Sequence, residues 1–160
     1  MITYTNNIEA VKEGLKTIIS GEFKQNYIPV VFAEEFEDEH LKSGEYIRLW
    51  IEESRFIGAH SDGELKEYEF QINIYFNSSR VNINKDFDNW ASEESERLVR
   101  LLNNSRYYES SGTYVWHRLT VETPGFLQDL TIIEDFEDEE GLENIKVIPH
   151  IVIITRSNFN

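Results

Sequence analysis

The segment "KEYEFQINIYF", residues 66–76, alternates polar and apolar side chains from Glu67 to Ile74. A period of two residues is typical of a β-strand that has one face in a core and the other face outside it. Such a strand is not stable alone, because its apolar face must be covered by a second layer of structure. The apolar face comprises Tyr68, Phe70, Ile72, Ile74 and Phe76, and the opposite face comprises Glu67, Glu69, Gln71 and Asn73.

Apolar periodicity predicts the other strands and the layer that covers the sheet. Residues 6–21 and 84–103 have the apolar spacing of helices, and Gly21 is a natural end for the first of them. β-Rich runs indicate further strands at residues 27–33, 46–52, 113–122 and 145–155. The resulting order, α-β-β-β-α-β-β, predicts an α+β fold with two helices on one face of a mainly antiparallel sheet of about five strands.

The buried faces of these elements predict one hydrophobic core. A chain of 160 residues with 40% hydrophobic side chains is long enough to bury it as a single domain spanning residues 1–160. The predicted core consists of Ile8, Val11, Leu15, Ile47, Leu49, Phe70, Ile72, Ile74, Trp90, Leu98 and Leu101.

The link at residues 53–65 joins two predicted strands and contains Asp62-Gly63, a turn signal, so a long hairpin is expected. It places Arg55, Phe56 and Ile57 together near the predicted tip, where an apolar pair is poorly explained by solvent. One interpretation is that these residues contact a neighbouring subunit or a partner protein. The other is that the turn folds Phe56 back onto its own sheet.

The net charge of −15 is concentrated in two short segments. The first acidic patch consists of Glu34, Glu35, Glu37, Asp38 and Glu39, in a predicted loop at 34–45. The second acidic patch consists of Glu134, Asp135, Glu137, Asp138, Glu139 and Glu140, in a predicted link at 122–144. These patches hold 11 of the 30 carboxylates, and no basic stripe of the kind that binds a DNA backbone is visible.

Motifs for catalysis, metals or cofactors are missing from the sequence. It has no Gly-rich phosphate loop, no nucleophile elbow and no cysteine, and its four His residues occur singly. The glycine and the final glutamate of a calcium loop do not fall at the required positions in either acidic patch. The chain start lacks the features of a signal peptide, and the most apolar segment, 147–154, is too short to span a bilayer. We therefore expect a soluble, non-enzymatic protein without a cofactor, with His117 and His150 hydrogen-bonded inside strands.

Several of these features recur together in "YIRLWIEESRFIGAHSDGELKEYEFQINIYF" (46–76) and "SEESERLVRLLNNSRYYESSGTYVWHRLTVE" (92–122). A "YIRLW" strand is paired with the strand "KEYEFQINIYF", and a helix ending "ERLVRLL", a short Tyr-containing loop and "GTYVWH" follow. In order and spacing these pieces resemble the tail terminator proteins, also called tail completion proteins, of long-tailed bacteriophages. The acidic link at 122–144 is longer than in that pattern.

The resemblance implies a structural role in a virion assembled in the host cytoplasm. Members of this family form a ring, typically of six subunits, that ends the tail tube at the tail–neck junction. The implied partners are further copies of the chain, the tail tube protein and the head–tail connector, and DNA passes through the ring without specific binding. Heterologous contacts that close into a ring would allow a small domain to do this. A neck adaptor next to the tail is the nearest alternative.

The acidic patches have three possible roles in this setting. They could line the channel and repel DNA phosphates, dock a basic face of a partner, or simply be solvated loops. Two other function classes stay open: an acidic inhibitor that mimics nucleic acid, and a metal-dependent nuclease using the strand carboxylates Glu52, Glu67 and Glu69.

Overall fold

The computed structural model describes residues 7–23, 30–32, 48–60, 65–77, 87–110, 112–129 and 145–157. The elements within these ranges confirm the α+β class and the predicted order of helices and strands. They are α1 (Ile8–Phe23), β1 (Val30–Phe32), β2 (Arg48–His60), β3 (Leu65–Asn77), α2 (Phe87–Asn104), β4 (Tyr108–Ser110), β5 (Thr113–Trp116), β6 (Arg118–Val121), β7 (Gln128–Asp129) and β8 (Ile145–Ser157).

One sheet contains most of the strands. Its order is β1-β2-β3-β8, and β6 and β7 both pair with the outer edge of β8, while β4 and β5 form a separate two-stranded ribbon. β2, β3 and β8 each have 13 residues and lie side by side. β1 runs parallel to β2, and every other described pairing is antiparallel. The mainly antiparallel sheet is confirmed, with six strands in the described part of the chain.

Both helices pack on the same face of this sheet. In β3 and β8 the even-numbered residues form that face, as the pairing of Phe70 with Val152 and of Tyr68 with Ile154 illustrates. α1 contributes Val11, Leu15, Ile19 and Phe23 at intervals of four residues, the spacing that places side chains on one helix face. α2 contributes Ala91, Leu98 and Leu102.

The predicted core is largely confirmed. Val11, Leu15, Phe70, Ile72, Ile74 and Leu98 are fully buried. Ile8, Trp90 and Leu101 are partly buried and pack against these residues. Ile47 and the side chain of Leu49 lie outside the described residues. The prediction omitted Trp116 and Phe23, two of the largest fully buried side chains.

The predicted end of α1 at Gly21 is wrong, because the helix continues to Phe23. The extra half-turn is stabilised by its contacts with α2. Phe23 completes the buried face of α1, and the Arg97 guanidinium lies 5.2 Å from the centre of its ring. Arg97 Nε also donates to Glu22 Oε1 at 3.0 Å. Tertiary packing therefore outweighs the tendency of a glycine to end the helix.

The face of the sheet opposite the helices is also buried at its centre. Asn73, Tyr75 and Val147 are fully buried there. Asn73 Nδ2 donates to the Tyr75 hydroxyl at 3.1 Å, and Gln71 Nε2 donates to Asn73 Oδ1 at 3.3 Å. These bonds satisfy the buried amide along β3, as the low polarity of its surroundings requires.

The strand predicted at 113–122 is wrong as a single element. It is divided at His117 into β5, which pairs with β4, and β6, which joins the main sheet. The change is marked by a backbone bond from His117 N to Thr155 O at 3.3 Å, which begins the pairing of this segment with β8.

The link predicted to be irregular from residue 122 is also corrected. Residues 122–129 run along β8: Glu122 N donates to Ile151 O, Gly125 N donates to Pro149 O, both at 3.0 Å, and β7 follows. Pro149 is tolerated inside β8 because its missing N–H would point towards residues 122–129 and not towards β3. On that side of β8 the hydrogen-bond ladder is already irregular. The rest of the link, 130–144, lies outside the described residues.

Candidate functional site

The first candidate surface lies on β2, at the edge of the sheet. Phe56 and Ile57 are inside this strand, not at the hairpin tip as predicted, because β2 extends to His60 and β3 begins at Leu65. The sequence concealed this extension because β2 has register irregularities between Ile51 and Glu53 and between Phe56 and Gly58. Each irregularity breaks the period of two that identifies a strand.

The second irregularity leaves Ile57 without a partner in β3, since Phe56 pairs with Tyr68 and Gly58 with Glu67. The Phe56 ring contacts Tyr68 edge to face, with 6.0 Å between ring centres, yet 55% of Phe56 is exposed. Ile57 is also exposed. Folding back onto the sheet thus covers only part of Phe56, and an apolar pair faces solvent. The side chain of Arg55 lies outside the described residues.

The strand edge beside this pair is open in the described part of the chain. β1 pairs with β2 only through the partners of Leu49, Trp50 and Ile51. From Glu53 to His60 no described strand lies on the outer side of β2. An open strand edge with exposed apolar side chains is a site where another chain can bind. The bulges in such an edge limit continuous strand pairing with unrelated chains.

A buried cation lies on the same face as Phe56. Phe56, Tyr68 and Ile154 are paired side by side across β2, β3 and β8. Arg156 in β8 pairs with Lys66 in β3, two residues further along these strands and therefore on the same face. Arg156 is buried, and its Nε is the one buried side-chain polar atom in the described residues that has no hydrogen-bond partner. A guanidinium in this position favours an anion nearby.

The second candidate surface is a groove on the opposite edge of the sheet. It has a volume of about 470 Å³ and lies between α2 and residues 124–127. Its α2 wall comes from two rows with a spacing of four residues, which places each row along the helix axis. The rows are Ala91, Ser95 and Val99, and Asp88, Ser92 and Glu96.

The other wall of the groove is held in place by a close backbone contact. A Cβ atom on Gly125 would lie 2.7 Å from Pro149 Cγ, so only glycine allows the segment to approach β8 this closely. The neighbouring Phe126 lines the groove and is 88% exposed. An aromatic side chain at this exposure is not packed within the protomer, so it contributes apolar surface for a ligand or partner.

A buried polar pair lies beneath the groove. Ser95 Oγ is 2.8 Å from His150 Nε2, and His150 Nδ1 is 3.2 Å from Ile72 O. Since the carbonyl can only accept, Nδ1 carries the proton and Ser95 donates to Nε2. Burial lowers the pKa of His150 to about 4, although backbone hydrogen bonds to Ile72 and Ile148 oppose the change. The neutral ring has both nitrogens bonded and joins α2 to the sheet, as predicted for this histidine.

The two acidic patches lie outside the described residues. Glu67 and Glu69 are in β3, and the side chain of Glu52 is outside the described set. In the described ranges, no group of three Asp, Glu or His side chains is arranged to hold a metal ion. None of the described helices is long and apolar enough to cross a membrane.

The groove was not identified from the sequence. The available signal was "TPGF" at 123–126, a Pro-Gly turn followed at once by an aromatic residue in an otherwise polar link. Its other wall belongs to α2, where polar residues at helical spacing are typical of a solvated helix face. Comparisons of the sequence with protein-family models and with curated proteins give no match.

Proposed function

We propose that this chain is a structural virion protein that assembles into a ring of six subunits at the end of a bacteriophage tail tube. The ring stops tube growth, joins the tube to the head–tail connector and leaves a channel for DNA. The proposal is supported by the resemblance of residues 46–76 and 92–122 to tail terminators. The described residues of these ranges include β2 and most of β3, and most of α2 with β4, β5 and β6.

The observation that carries the proposal is the exposed apolar pair Phe56 and Ile57 on a strand edge that no described strand covers. Exposed apolar side chains beside unpaired backbone groups are stabilised when another chain covers them. β2 pairs with β3 over most of its length, and β3 pairs with β8 over all of its own, so this edge is part of a three-stranded ladder. A surface on such a ladder suits a protein whose activity is geometric, since each copy must present its contact surface at a fixed angle to close a ring.

The charge of the chain fits the same role in either of two ways. Six copies carry a formal charge of about −90. Acidic segments facing the channel would repel phosphates, so that DNA slides through without binding, with a reach of roughly 8 Å at physiological ionic strength. Acidic segments at the rim would instead steer a basic face of the tube or of the connector.

The test is the assembly state of the purified chain and of the double variant Phe56→Ser/Ile57→Ser. We expect the unchanged protein to form a ring, and we expect the double variant to remain a folded monomer, because the apolar pair has little role inside the protomer. Tyr107→Ser is the matched control, since Tyr107 is 56% exposed, is not part of β2 and does not line the groove. Native mass spectrometry gives the masses and circular dichroism checks the fold. Unaltered assembly of the double variant would place the contact elsewhere.

A further inference from the structure

We propose that the groove between α2 and residues 124–127 receives Phe56 and Ile57 of the next copy of the chain. This inference rests on the proposed ring and identifies the two surfaces that join its subunits. Phe56 and Ile57 lie on β2, whereas the groove borders β7 and the irregular segment before it. β3 and β8 separate these two edges, so one protomer cannot make the contact with itself.

The arrangement of the two surfaces is the one that a head-to-tail contact requires. They are different surfaces on opposite edges of one sheet, so each copy can use both at once. A contact of this heterologous type repeats from copy to copy and closes into a ring when the rotation allows it. A two-fold contact, in which the same patch meets itself, would leave the groove unused and would end at a dimer.

The groove matches the pair in size and polarity. Its volume of about 470 Å³ lies within the roughly 300–1,000 Å³ of pockets that enclose small molecules, so it can accept an aromatic and a branched side chain. Ala91, Val99, Leu127 and Ile148 supply apolar lining. Phe126 and Phe56, both more than half exposed in the protomer, would be covered together by this contact.

The charges near the two surfaces are complementary. Asp88 and Glu96 line the groove on the α2 side, and Glu96 is already paired with Arg100 at 2.6 Å. On the opposite surface, the face of the sheet that contains Phe56 also contains Lys66 and the buried Arg156, which pair with each other across β3 and β8. A second copy therefore brings cations to an acidic rim, while a copy presenting its own groove would bring like charges together.

Disulfide cross-linking between copies tests this contact, because the chain has no cysteine of its own. Ile57→Cys is placed on the strand surface and Ser92→Cys in the groove. The two single variants, mixed and oxidised, should form mixed dimers and nothing larger, because each copy has one thiol. The double variant should form a ladder of linked copies that ends at the closed ring. If the two surfaces are in contact, they hold the two thiols close together and so raise their effective concentration. The yield of cross-linked dimer should then be roughly tenfold or more above that of a control pair.

The control pair replaces Ile57→Cys with Tyr107→Cys, another exposed position that is not part of β2. Rings that form by mass while Ile57→Cys and Ser92→Cys link no better than the control would overturn the proposed contact and leave the ring itself standing. Linking of Ile57→Cys to itself would also overturn it, because that product indicates a two-fold contact. A chain that stays monomeric at all concentrations would overturn both.

A second variant tests the groove without a cross-link. Ser92→Trp fills the groove from an exposed position on α2, so we expect loss of assembly with retention of the fold. Glu93→Trp is the matched control, because Glu93 is the next exposed α2 residue and does not line the groove. Equal assembly of the two tryptophan variants would contradict the proposal.

Discussion

At the residue scale, Phe70 tests the assignment of the two faces of β3. Its side chain is fully buried between the helices and the sheet. Phe70→Ala should lower the free energy of unfolding by about 3–5 kcal/mol, because a large cavity would remain in the core. Phe56→Ala, at an exposed position, should lose far less. Urea unfolding of both variants measures the difference, and a loss below about 1 kcal/mol for Phe70→Ala would mean that the opposite face of β3 is the buried one.

His150 makes stability depend on pH in a defined window. Its pKa is lowered from 6.5 to about 4 in the folded state by burial, so between these values the unfolded chain binds more protons. Stability should therefore fall as the pH is lowered from about 6.5 to about 4, by an amount on the order of 3 kcal/mol, and this group should cause no further loss below that. His150→Leu removes this contribution. Equal pH dependence of the two proteins over this window would contradict the assignment.

At the element scale, Gly14 fixes how closely α1 approaches the β4–β5 ribbon. A Cβ atom there would lie 2.8 Å from Trp116 Cζ3 and 3.2 Å from Tyr108 Cε1. The Trp116 ring cannot easily move, because it is fully buried and its Nε1 donates to Ser105 O at 2.9 Å. Gly14→Ala should thus cost about 1–3 kcal/mol from overpacking, which exceeds the gain in helix propensity of up to about 1 kcal/mol.

Gly21, in the same helix, is the matched control for Gly14. It is exposed and a Cβ atom there would meet nothing within 4 Å. Gly21→Ala should therefore stabilise the protein by about 0.5–1 kcal/mol, through helix propensity alone. Thermal unfolding of the two variants should give melting temperatures that move in opposite directions. A Gly14→Ala protein as stable as Gly21→Ala would show that α1 is not packed on Trp116 in this way.

The elements that the sequence predicted well are those with an uninterrupted period. β3 alternates from Glu67 to Ile74, and α1 and α2 have continuous apolar stripes, so propensity and burial agree. The outer half of β2 falls in the link predicted at residues 53–65, because its irregularities shift the alternation near Phe56 and Gly58. The break at His117 leaves no sign in composition, since both halves of 113–121 are strands. It exists because the two halves pair with different strands, which is a long-range property.

The candidate site was predicted only in part, for a related reason. An unusual apolar pair at Phe56 and Ile57 is visible in the sequence, because hydrophobic side chains in a link need an explanation. The groove is not visible, since it forms between α2 and residues 124–127, which are more than twenty residues apart in the chain. Which polar positions of a helix face a neighbouring segment is decided by packing. A pattern of exposed residues such as Ser92 and Glu96 gives no sign of it.

At the scale of the whole molecule, a variant of the second acidic patch distinguishes a channel-lining role from a docking role. Changing its six carboxylates to Gln or Asn reduces the net charge from −15 to −9. Folding and ring assembly should be nearly unchanged, because carboxylates that repel one another contribute little to stability. If the patch faces the channel, DNA ejection should slow. If it docks a partner, joining of tail to head should fail and the normal joining should weaken with salt.

Ejection and joining must therefore be measured separately, with joining followed across a salt series. A control variant neutralises five exposed carboxylates elsewhere, which are Glu9, Glu13, Glu93, Glu109 and Glu122. This control should affect neither process. If neutralising the patch also changes neither, the acidic segments have no role in passage or docking and serve only as solvated loops.

The measurement that tests the proposed function most directly is electron microscopy of tail tubes mixed with the purified chain, combined with its mass in solution. Six subunits of 18.9 kDa give a ring of about 113 kDa. We predict rings of this mass that bind at one end of each tube and stop its growth. A chain that remains an 18.9 kDa monomer and leaves the tube ends bare and growing would contradict the account.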